Sequence, residues 1–117
     1  MKAECHFVTK NNVNTILGEC GLQGDIGLLS IDIDGNDYWV WEAINVVKPL
    51  IVICEYNSIF GSKFKVTVPY REDFVRQKYH YSYLVFGVSI NALNDLAAKK
   101  GYSLVAGTEA GNDLFFC

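Results

Sequence analysis

The sequence predicts a single α/β domain organised around a parallel strand–helix–strand unit at residues 26–54 and ending in an antiparallel hairpin. Three observations lead there. Two short, β-branched, almost wholly apolar runs, Ile26–Ile33 and Leu50–Cys54, flank a stretch of helical spacing, and the whole spans about 30 residues, the size of a right-handed βαβ unit. A later helical stripe precedes two more apolar runs joined by a polar loop. The 117 residues suffice for one hydrophobic core with little left for a second.

The elements follow in chain order. Thr9 is an N-cap candidate, after which Val13, Ile16, Leu17 and Cys20 recur at helical spacing until Gly21 stops the pattern, giving about three turns. Gln23-Gly24-Asp25 turns the chain into Ile26–Ile33, whose continuous rather than alternating apolar character predicts a strand covered on both faces. Asp34-Gly35-Asn36-Asp37 has turn chemistry, and Val40, Ala43, Ile44 and Val47 then place a helix over Trp39–Val47, ended by Pro49. Leu50–Cys54 is the second buried strand. From Asn57 to Gly87 the periodicity fades: Phe64–Val68 alternates briefly, 69–73 has turn chemistry, and Tyr79, His80, Tyr81, Tyr83 and Phe86 suit an irregular segment. Ser89 caps a helix carrying Ile90, Leu93, Leu96 and Ala97 on one stripe, with Lys99 and Lys100 against its dipole and Gly101 closing it. Tyr102–Ala106 and Leu114–Cys117, linked by a long loop, make the hairpin.

Composition excludes several functions. A formal charge of -3 with ten scattered basic residues gives no footprint for a phosphate backbone, so nucleic acid is not expected as a partner. No apolar run approaches the roughly 20 residues that span a bilayer, and no apolar leader follows Met1-Lys2; a cytoplasmic protein with four reduced cysteines is expected, with no membrane partner. Cys5, Cys20, Cys54 and Cys117 form neither a CxxC pair nor a zinc spacing with His6 or His80, and no catalytic triad is legible around either histidine.

Ligands of open α/β sheets bind beyond the carboxyl ends of the strands, where loops diverge and expose polar side chains. Two carboxylate groups fall there: Asp32, Asp34 and Asp37 with Asn36 after the first strand, and Glu55 with Asn57 after the second. Strands joined by one crossover are often adjacent, about 4.8 Å apart, so the two groups are expected to share a crevice and to hold a common proton or a hard divalent cation. The candidate catalytic residues are Asp32, Asp34 and Glu55; the candidate cation ligands are these three with Asn57; and Asn36, Asp37, Trp39, Tyr56 and Asn57 are candidates for substrate contacts. Counting from Asp32 puts Asp37 and Ala43 where a calcium loop needs Gly and Glu, which excludes an EF-hand.

The string LLSIDIDGNDY at 28–38, followed by IVICEYN at 51–57, Val68-Pro69-Tyr70 and KGYSLV at 100–105, resembles the distal half of FkbM-like S-adenosylmethionine-dependent methyltransferases. The resemblance covers most of the chain. It implies a truncated class I, Rossmann-like sheet in which the two motif strands are the fourth and fifth and the hairpin supplies the last two, one of them antiparallel. It also implies that Asp32, Asp34, Glu55 and Asn57 line the acceptor side. The glycine-rich cofactor loop of such enzymes lies ahead of the matched region, and Gly18, Gly21, Gly24 and Gly27 do not stand in the strand-to-helix order that loop requires, so no residue is assigned to S-adenosylmethionine. Without the first three strands, the strand from Ile26 becomes a long apolar edge, and a homo-oligomer, most simply a twofold dimer, is expected. Two alternatives stand beside methyl transfer: a non-catalytic binding or assembly module that uses the aromatic segment 70–86, and a divalent-metal site independent of methyl transfer.

Overall fold

A computed structural model describes residues 3–117. Its sheet has four strands, β1 (Gly24–Ile31), β2 (Val47–Glu55), β3 (Leu104–Gly107) and β4 (Asp113–Phe116), in the order β1-β2-β4-β3. The helices are α1 (Val13–Glu19), α2 (Asp37–Ala43), the single turn α3 (Arg76–Tyr79) and α4 (Ile90–Lys99), with a 3-10 turn at Ser58–Phe60. β1 and β2 are parallel neighbours, Leu29 opposite Val52 and Ile31 opposite Cys54, and β4 runs antiparallel to both β2 and β3. The expected strand–helix–strand unit and terminal hairpin are therefore present.

One core holds the fold together. Val13 of α1, Val40 and Trp41 of α2 and Leu93, Leu96 and Ala97 of α4 meet Ile31, Val52, Cys54, Leu114 and Phe116 of the sheet. Trp41 is its largest side chain, with its ring 5.0 Å from that of Phe116.

All three longer helices feed that one core, and this corrects the expectation that β1 is covered on both faces. Leu28 is 53% exposed and its cross-strand partner Ile51 40%, while Val105 on β3 is 61% exposed. A continuous apolar run is compatible with two buried faces or with one buried and one bare. Here the described residues leave the second face largely uncovered.

Local hydrogen bonds explain the remaining differences. α1 starts at Val13 with Asn12 at its cap position, because Thr9 instead closes the preceding turn: its hydroxyl accepts from the Asn11 and Asn12 amides and its carbonyl from Asn12 and Val13. α2 stops at Ala43 rather than Val47, since Asn14 of α1 donates to the Ala43 carbonyl and accepts from the Asn45 amide. Pro49 does not end a helix; it lies inside β2. Pro49 pairs with Ile26 of β1 on one side, but β4 reaches only Val52–Glu55, so on the other side no strand asks for the missing N–H, and its carbonyl accepts from the Tyr102 hydroxyl at 2.7 Å. Of the alternating stretch at 64–68 only an isolated bridge between Thr67 and Val88 forms.

Candidate carboxylate site

The parallel pairing of β1 with β2 brings their carboxyl ends side by side, Ile31 opposite Cys54, so the residues that follow each strand share one crevice. Asp32, Asp37 and Glu55 each present a carboxylate oxygen there, and the three lie within 4.8 Å of one another. The two sequence groups thus meet, but through a particular subset.

Backbone geometry selects the members. The Asp37 carboxylate turns back to accept from the Ile33 amide at 2.9 Å and the Gly35 amide at 3.0 Å, which holds the Asp34-Gly35 turn. Asp34 sits in that turn at φ 59 and stands exposed outside the trio. Gly35, at φ 152, passes so close under Phe74 that a Cβ would lie 2.1 Å from its ring. Residue 35 must therefore be glycine twice over, for conformation and for room.

Like charges and burial act together on the protons. Burial, then the neighbouring Asp37, Asp32 and Asp34, push the Glu55 carboxyl up to about 8, with Arg76 opposing. Burial also raises Asp37 to about 6 against the pull of its backbone hydrogen bonds. Near neutral pH, Glu55 keeps its proton while Asp37 is mostly charged, so a neutral carboxyl sits beside a charged one. Glu55 Oε2 is buried without a hydrogen-bond partner. The Cys54 thiol beside them is fully buried and raised well above its usual value by burial, which leaves it inert as a nucleophile.

Arg76 is the basic neighbour of the site that sequence spacing did not single out. Its guanidinium lies 3.7 Å above the Phe86 ring, donates from Nε to the Tyr83 carbonyl at 2.7 Å, and comes within 3.8 Å of Asp34. α3 delivers it from 44 residues beyond Asp32, with no periodic signal to announce it.

The remaining candidates are engaged elsewhere. Asn57 gives both amide hydrogens to the Leu84 and Phe86 carbonyls and accepts from the Ile59 amide, so its side chain pins the 84–86 segment under the crevice. Asn36 donates to the Arg71 carbonyl, and its Oδ1 is buried without a partner. Trp39 donates to the Val68 carbonyl and packs edge-on to Tyr38 and Tyr70, with Lys10 over its ring. Tyr56 is half-buried, and its amide donates to the Asn112 carbonyl. Among the described residues, no helix is long and apolar enough to cross a membrane. No family profile, curated protein or solved structure matches the chain.

Proposed function

We propose that the chain is the acceptor-side half of a methyltransferase-type domain, and that Asp32, Asp37 and Glu55 bind a hard divalent cation that holds the acceptor. The observation that carries this reading is the trio itself: three carboxylate donors within 4.8 Å at adjacent ends of parallel strands, one with a buried, unpartnered oxygen. Oxygen-only donors suit magnesium, manganese or calcium rather than zinc or copper. The methyltransferase frame is supported by β4, the strand that runs against the other three, since the resemblance implies one such strand in the terminal pair.

Cation binding displaces the proton on Glu55, so affinity rises with pH up to about 8 and binding releases protons in weakly buffered solution. Thermal shift with each cation, against potassium chloride of equal ionic strength, is the test. A rise of several degrees that is lost in Glu55→Gln is expected; no rise with any of the three cations at pH 8 would sink the cation site. Calorimetry with S-adenosylmethionine addresses the frame separately. Binding supports methyl transfer, whereas its absence with cation binding intact leaves a cation site on a fold of other descent.

A second reading, an assembly module, is favoured by Tyr81, Tyr83 and Leu84, which stand exposed together in the 70–86 segment. It expects those side chains, not the trio, to be protected on complex formation.

A further inference from the structure

The sheet has two edges, and they are built differently. β3 is four residues long and carries an irregularity between Leu104 and Ala106, the features by which natural edges avoid pairing. β1 is eight residues long, pairs on one side only among the described residues, shows no bulge, and contains no proline and no basic residue; Asp25 is its single charge. Apolar surface flanks this edge on both sides. On the helix side lies a cavity of about 200 Å³ lined by Val13, Ile16 and Leu17 of α1 with Leu29, Ile31 and Val40. On the bare side stand Leu28 and Ile51.

We propose that β1 docks antiparallel against β1 of a second copy across a twofold axis at Leu28, joining two four-stranded sheets into one. The strand is self-complementary in this register: Asp25 falls opposite Ile31, Ile26 opposite Ser30 and Gly27 opposite Leu29, so the sole charge never meets its twin. The seven paired residues 25–31 at about 3.4 Å each make a contact about 24 Å long. A standard interface of roughly 800 Å² per partner would need a width of about 33 Å at that length, more than two of the molecule's 38 × 31 × 24 Å extents, so a smaller contact and a reversible dimer are expected. The carboxylate crevices, each beyond the end of its β1, sit at opposite ends of the shared ladder.

Sedimentation velocity over a micromolar to hundred-micromolar series is expected to give a reversible dimer. Leu28→Lys, at an exposed position that a folded monomer tolerates, sets two like charges face to face and is expected to weaken the dimer more than about tenfold with circular dichroism unchanged. Leu28→Cys, with Cys5 and Cys117 replaced by serine, is expected to form an intermolecular disulfide on mild oxidation, because cross-strand partners bring their Cβ atoms within reach. A monomer at every concentration overturns the proposal. So does a dimer that neither weakens with Leu28→Lys nor cross-links through residue 28.

Discussion

Between pH 5 and 8 the carboxyl of Glu55 is protonated in the folded chain and charged in the unfolded one, since its folded value lies near 8 and its ordinary value near 4.5. Folding therefore retains a proton across that window; the stability this contributes is complete below about 4.5 and is lost as pH rises through 8. Calorimetric melting is expected to drop by roughly 5 °C between pH 5 and 8, and Glu55→Gln to remove most of that slope. Asp37, raised to about 6, leaves a smaller slope at the acid end. A wild-type melting point unchanged across this range would mean that Glu55 is not held as described. At this scale Asp32 and Glu55 were legible in the sequence, as acids following two apolar runs. The inward turn of Asp37 depends on the Ile33 and Gly35 amides, and the approach of Arg76 depends on a segment without periodicity; neither leaves a trace in spacing.

Ser89 shows how one residue ties elements together. Its hydroxyl accepts from the Ala92 amide, capping α4, and also from the Val66 amide of the irregular segment, while its own amide donates to the Val66 carbonyl. Ser89→Ala takes the acceptor from two part-buried amides, Val66 and Ala92, and is expected to cost about 1–2 kcal/mol, measured by urea denaturation. An effect below a few tenths of a kcal/mol would mean the cap is dispensable. α4 and this cap could be read in advance because the stripe of Ile90, Leu93, Leu96 and Ala97 and the N-cap serine are local signals. The end of α2 could not be, because Asn14 of α1 decides it across 29 residues. The covering of β1 was misread for a similar reason: a strand's composition records that it is apolar, whereas which faces are covered depends on where the helices pack.

At the scale of the molecule, everything meets a sheet with one covered face, so the core has no second layer to share a loss. Phe116, fully buried against Trp41 at the sheet centre, is where that shows: Phe116→Ala is expected to cost roughly 3–5 kcal/mol, a large part of the 5–15 kcal/mol typical of a domain. Chemical denaturation would read this directly, and a cost below about 1 kcal/mol would contradict so central a place for the ring. The strand order also bears on the timing of synthesis. β3 is made before β4 but bonds to the sheet only through it, because β4 lies between β3 and β2. A growing chain can pair β1 with β2 as soon as both have emerged, yet β3 must wait without a hydrogen-bonding neighbour until β4 arrives. Until then both sides of the β1–β2 ribbon stand open, and the interval between making β2 and making β4 is when the chain most needs to be kept from its neighbours.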